Sequence, residues 1–185
     1  MELVPKPVSY SRTTLTELMI PSYANFGGKI HGGILLSLMD KVAYACASRH
    51  AGAYCVTVSV DTVDFLKPVE VGELVSLKAS VNYVGNSSMI VGIRVEAENV
   101  KTGRKEHTNT CYFTLVAKGE DDKPTSVPPL VLEGKKDVRR FIEAMARKKI
   151  TKKNNTEMDL AKSGFNLSEE IEKIKEERCI IQLLK

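Results

Sequence analysis

Residues 33–50 read GILLSLMDKVAYACASRH, and the period of this stretch decides the fold. It contains no proline and is far longer than an ordinary strand, which predicts an α-helix. Ile, Leu, Met, Val and Ala fall on nearly every face, so the helix is expected to be wrapped by other structure and not laid on a surface. One residue conflicts with that setting. Asp40 sits mid-helix, and its same-face neighbours Leu36, Ser37, Ala43 and Tyr44 supply no cation. Burying an unpaired carboxylate is costly or raises its pKa, so such a group has a task or a distant partner. A purely structural reading stands beside it: an arginine from another strand, or an exposed seam.

Downstream of Gly52 the period changes from 3.6 to 2. Val56, Val58 and Val60 alternate with Thr57, Ser59 and Asp61, as in a half-buried strand. Pro68 and Gly72 mark a turn, and Val75, Leu77, Ala79, Val81 and Tyr83 then repeat the alternation. After Gly85-Asn86 it recurs in Met89, Val91, Ile93, Val95 and Ala97, and beyond Lys101-Thr102-Gly103 in a last strand at about 106–117. Upstream, Thr13 to Ile20 reads as a first strand closed by Pro21. Short turns make the last four strands antiparallel neighbours in a meander. A single sheet with one covering helix leaves an edge and a face open, which predicts self-association, at least a dimer.

The helix is entered through a glycine-rich loop, SYANFGG at 22–28, and Gly32-Gly33. Glycines there let a substrate approach the backbone, and free N–H groups at a helix N-terminus favour developing negative charge. A tight turn demanded by packing is the plainer reading of a bare Gly-Gly. With 1.5 Å rise per residue, Asp40 lies about 10 Å along the helix from Gly33. One reacting carbonyl cannot touch both, since hydrogen bonds reach about 3 Å. If both act on one substrate, a second subunit must supply one of them.

The remaining composition sets limits. At 185 residues with a net charge of +4, the chain suits one domain with an appendage. Residues 1–10 lack the apolar core of a signal peptide, and the apolar run 34–47 is too short to cross a bilayer. The four cysteines, Cys46, Cys55, Cys111 and Cys179, form no CxxC pair, so reduced thiols and a cytoplasmic location are expected. Cys46 and Cys111 read as core filling. His50 and His107 are isolated, and no acidic cluster has ligand spacing, so no metal site is expected. No phosphate-cradling Gly-Lys-Ser/Thr loop is present. Residues 119–129, GEDDKPTSVPP, have linker composition. Nine Lys or Arg between Lys135 and Lys153 face only Asp137 and Glu143, a run suited to phosphates or to a solvated helix face. A basic amphipathic helix is expected at about 136–149, with Val138, Phe141, Ile142 and Met145 on one stripe. A second is expected at 168–183, capped by Ser168 with Glu169 and Glu170 in its first turn.

The segment Asn25-Phe26-Gly27-Gly28-Lys29-Ile30-His31-Gly32-Gly33, continuing through Asp40, resembles the signature of hotdog-fold acyl-CoA thioesterases of the cytosolic acyl-CoA hydrolase family. The similarity extends through residues 59–65 and 85–89 and covers about 8–118. It implies an α+β hotdog fold: an antiparallel sheet of about five strands around a long central helix, with a C-terminal helical extension. The domain plan is then 8–118 for the hotdog domain, 119–134 for a linker and 135–185 for the extension. The resemblance implies hydrolysis of acyl-CoA to free acid and coenzyme A by a homodimer or trimer of dimers, without cofactor. Asp40 would be general base or nucleophile. Asn25 from the opposing subunit would orient water or carbonyl, and the Gly32 and Gly33 N–H groups would hold the oxyanion. Val58, Ser59, Val60, Ser87, Ser88 and Met89 match places where the family meets coenzyme A, and Arg147 is the candidate for a CoA phosphate. His31 lacks the His-Phe-Pro context of hotdog dehydratases and is read as a loop hydrogen-bonding residue. Asp61 and Asp64 are read as polar-face residues, with Asp64 near enough to approach the site. The alternatives are an acyl-thioester dehydratase or hydratase, and a non-catalytic acyl-CoA sensor. Neither a membrane nor a nucleic acid is expected as partner.

Overall fold

The computed structural model describes residues 3–182. In chain order the elements are β1 (Lys6–Pro7), α1 (Val8–Ser11), β2 (Thr13–Leu18), a 3-10 turn (Pro21–Tyr23), α2 (Gly32–Ala51) and β3 (Tyr54–Val60). Then follow β4 (Leu74–Val84), β5 (Ser88–Asn99), β6 (Arg104–Lys118), β7 (Leu130–Val131), α3 (Lys135–Ser163) and α4 (Leu167–Lys173). The main sheet is antiparallel with the order β2-β4-β5-β6-β3. The sheet and α2 form the expected hotdog arrangement of five strands and a central helix.

The expected four-strand meander is corrected. β4, β5 and β6 are consecutive hairpin neighbours, but β3 pairs with β6 and not with β4. Residues 61–73 are too long for a hairpin loop and carry the chain across to the far side of the sheet. β3 therefore becomes an edge strand beside α2.

Inward alternation on β4 and β5 is as the sequence predicts, with Val75, Leu77, Val81, Met89, Val91, Ile93 and Val95 buried under α2. On β3 the predicted inward face is corrected by a bulge between Thr57 and Ser59. Residues directly paired across strands share a face. Cys55 and Thr57 pair with Ala117 and Leu115, the helix side, whereas past the bulge Val60 takes that side opposite Phe113. One extra residue moves the chain by half a pleat and exchanges its two faces.

Residues 119–134 lie along the sheet domain. β7 pairs in parallel with β1, Val127 is buried, and Val127 N–H donates to Asn86 O at 2.8 Å. His50, at the end of α2, is fully buried, and its Nε2 lies 3.0 Å from Pro128 O. A carbonyl only accepts, so the proton sits on Nε2. Desolvation by burial lowers the His50 pKa below 6.5, so the folded ring is neutral. The unfolded chain then binds the extra proton first as pH falls. Stability is full above pH 6.5 and declines below it, a slope that His50→Ala should lack. The same variant should lose about 2–4 kcal/mol in urea unfolding, from lost packing and an orphaned carbonyl.

The chain divides into two compact units between Ala144 and Met145. In the first, α3 packs through Asp137, Phe141 and Ala144. Asp137 pairs with Arg12 at 3.1 Å, and the Phe141 ring packs against Tyr83, tilted by 46° with ring centroids 5.1 Å apart. The predicted stripe is corrected accordingly: Val138 and Ile142 are exposed. The second unit holds the rest of α3, fourteen residues longer than expected at its C-terminal end, and α4. α4 begins at Leu167 and ends at Lys173, short of the predicted Leu183. The predicted Ser168 cap, with Glu169, falls on side chains outside the described residues.

Candidate active site

α2 is not wrapped on all sides, which corrects the expected buried helix. Leu35, Leu38, Met39, Val42, Ala43, Cys46 and Ala47 face the sheet, while Leu36 and Tyr44 keep 39% and 42% exposure. Asp40 lies on this open face and is itself exposed. Its partner is neither a cation nor a residue of its own helix. Thr57 Oγ1 on β3 donates to Asp40 Oδ1 at 2.7 Å. Thr57 escaped the sequence reading because only the bulged strand turns it toward α2. Tyr44 and Tyr54 add a second link, with ring centroids 6.1 Å apart. With Val58 at 56% and Val60 at 41% exposure, the open face of α2 and the edge of β3 form one half-apolar seam around the carboxylate.

The entry loop is built by Asn25. Its Oδ1 accepts from Gly27 N–H at 2.9 Å and Lys29 N–H at 3.2 Å, an Asx turn that lets Gly28 take φ 74°. Both acceptor directions of the amide are therefore spent within the loop, and Nδ2 is the group left to face a ligand. His31 N–H donates to Tyr23 O at 2.8 Å, and its ring caps α2: Gly33 N–H donates to His31 Nδ1 at 2.9 Å. His31 is thus a loop hydrogen-bonding residue, as expected. The cap changes the oxyanion expectation, because the Gly33 N–H is already engaged. The Gly32 N–H has no acceptor among the described residues. A Cβ at Gly32 would stand 3.2 Å from the Phe65 ring, so a side chain there would press on that ring. Gly32 and Asp40 are eight residues apart on one helix, about 12 Å at 1.5 Å per residue.

Of the expected coenzyme A contacts, Val58 and Val60 lie on the open seam, and Ser59 faces the other side of the sheet beside Thr114. Ser87 and Ser88 are half-buried at the β4–β5 turn. The Met89 side chain is fully buried in the core, which leaves only its backbone for a ligand. Arg147 belongs to the second compact unit. Burial pushes the Cys46 and Cys111 thiols up to about 12, so neither supplies a thiolate nucleophile. Asp64 is exposed, and Asp61 is half-buried on the same connection. Among the described residues no His, Cys, Asp and Glu group is arranged to hold a metal ion. No described helix is long and apolar enough to cross a membrane.

Residues 27–103 match the model of the thioesterase superfamily, and the chain belongs to that family, among the acyl-CoA thioester hydrolases. Protein VdlD of Helicobacter pylori is 45% identical over 140 residues, 76% of this chain and 80% of that one. A hexameric acyl-CoA thioesterase in its apo form is 36% identical with a TM-score of 0.80, over 83% of this chain and 98% of that chain. An acyl-CoA hydrolase of Staphylococcus aureus in complex with butyryl coenzyme A and coenzyme A is 30% identical, with a TM-score of 0.78 over 85% and 96%. Structures of the same Staphylococcus aureus hydrolase carry alanine in place of an asparagine, an aspartate and a threonine, spaced 15 and 17 residues apart.

Proposed function

We propose that the protein hydrolyses acyl-CoA to a free acid and coenzyme A at a site shared between two protomers. The observation that carries this reading is the exposed Asp40, oriented by Thr57 on an open, half-apolar seam. Asn25, Asp40 and Thr57 are also spaced 15 and 17 residues apart, matching the types and intervals of the three residues replaced in the Staphylococcus aureus enzyme. A second copy covering the seam would bring its own loop, with Asn25 and Gly32, against Asp40. That removes the separation of about 12 Å along a single helix. A dimer of this kind also covers the edge of β3, and the hexameric relative supports assembly into a trimer of dimers.

In the mechanism, Thr57 holds Oδ1 of Asp40 and leaves Oδ2 for a water molecule between carboxylate and thioester. Oδ2 takes a proton from the water as its oxygen attacks the carbonyl carbon. The Gly32 N–H and the α2 dipole stabilise the resulting oxyanion, and Asn25 Nδ2 orients the water or the carbonyl oxygen. Collapse of the tetrahedral intermediate breaks the C–S bond and releases the coenzyme A thiolate, leaving the acid. Direct attack by Asp40 Oδ2, with later hydrolysis of the anhydride, uses the same groups. Gly33 joins the oxyanion site only if His31 releases it. These steps use side chains, the Gly32 backbone N–H and water, without a cofactor. Ser59, Val58, Val60, Ser87, Ser88, the Met89 backbone and Arg147 are the proposed contacts to coenzyme A. The catalytic segment is 8–118, followed by the connector 119–134 and the extension 135–185, in a cytoplasmic enzyme.

The direct test is thiol release from a panel running from acetyl- to palmitoyl-CoA. Turnover on part of the panel supports the reading. Formation of enoyl product from a 3-hydroxyacyl-CoA without thiol release would replace it with a dehydratase, and tight binding without either reaction would leave a sensor.

A further inference from the structure

The connection after β3 is pinned to β6 at three points. Asp61 N–H donates to Tyr112 O at 3.0 Å and Leu66 N–H to Thr108 O at 3.1 Å. Asn109 Nδ2 donates to Asp64 O at 2.8 Å. Asn109 is wholly buried, beside a bulge in β6, and its Oδ1 has no donor among the described residues. A buried amide with one half unsatisfied is costly. What offsets that cost is the bond that fixes the backbone at Asp64. The next residue is Phe65, whose ring Cζ stands 3.2 Å from where a Gly32 Cβ would be, with half of its surface outward. The loop thus holds an aromatic ring beside Gly32, against the N-terminal turn of α2.

Resting on the thioesterase reading above, we infer that Phe65 is a specificity-determining residue that selects straight over branched acyl groups, and that Asn109 is the positioning residue that holds it. In this arrangement an acyl carbonyl accepting from Gly32 N–H would carry its first acyl carbons past that neighbouring ring. A methylene chain lies flat along an aromatic face, whereas a methyl branch at the first or second carbon projects into it. Three hydrogen bonds tie the loop backbone on either side of Phe65 to β6, which limits how far the base of the ring can retreat.

The test compares kcat/KM for isobutyryl-CoA and butyryl-CoA in the wild type, Phe65→Ala, Phe65→Leu and Asn109→Ala, with the oligomeric state followed by size-exclusion chromatography. The branched-to-straight ratio is expected to rise about tenfold in Phe65→Ala, less in Phe65→Leu, and measurably in Asn109→Ala, where the ring is freed but present. An unchanged ratio overturns the inference. So does equal slowing of both substrates, or loss of oligomer with the ratio retained. A parallel titration with the non-hydrolysable ketones S-(3-methyl-2-oxobutyl)-CoA and S-(2-oxopentyl)-CoA, which keep the carbonyl, reads the branched-to-straight ratio as affinities. If the wild type releases no thiol, the hydrolase reading fails, while a shifted ketone ratio in Phe65→Ala still upholds the role of Phe65 and an unshifted one removes it.

Discussion

Asp40→Asn should lower kcat on acyl-CoA by about 10²–10⁴-fold, the range lost with a general base, while KM changes little. The reason lies in how the carboxylate is held. Thr57 donates to Oδ1, and an asparagine oxygen accepts that bond equally well, so the side chain keeps its place. What disappears is the basicity or nucleophilicity of the second oxygen. Because Asp40 is exposed in the protomer, the substitution should move the urea midpoint by less than the equivalent of about 0.5 kcal/mol. A variant that lost affinity in proportion to rate would instead make Asp40 a binding residue.

Asn25→Asp is expected to cost about 10²-fold in kcat without unfolding the entry loop. The Asn25 oxygen accepts from Gly27 and Lys29 N–H groups, and an aspartate retains both acceptor bonds. It cannot donate from the position of Nδ2, and it brings a second negative charge toward a site already holding a carboxylate. Asn25→Ala removes the loop bonds as well, so it should lose activity and melt at lower temperature. Equal activity of wild type and Asn25→Asp, measured by thiol release, would show that the amide serves the loop alone.

Much of this architecture is legible in the residues. The 3.6-period run at 33–50 is α2, and the alternations of β4, β5 and β6 are set by short turns at Gly85-Asn86 and around Gly103. The position of β3 is not legible that way. Residues 61–73 contain turn-forming Pro68 and Gly72, and their length rules out a hairpin only once the ends of β3 and β4 are known. Thr57 is hidden for a related reason, since a single bulge decides which side chains of β3 face the helix, and a bulge leaves no mark in an alternating pattern. The burial of Asp40 is misread on different grounds. A helix covered by a second copy needs apolar residues on that face just as one covered by its own chain does, so composition alone cannot tell the two apart. His31 shows the opposite case. It reads from the sequence as a loop hydrogen-bonding residue, and its ring accepts from Gly33 N–H.

The proposed mechanism requires Asp40 of one protomer to act with Asn25 and Gly32 of another. The decisive measurement mixes Asp40→Asn with Asn25→Ala, each inactive alone, dissociates the oligomers and lets them reassemble. In a mixed dimer one site receives both lesions and the other receives none. Random pairing then predicts recovery of roughly a quarter of wild-type thiol release. No recovery, in a sample shown to have exchanged subunits, would contradict the shared site and place both residues in a single protomer's chemistry.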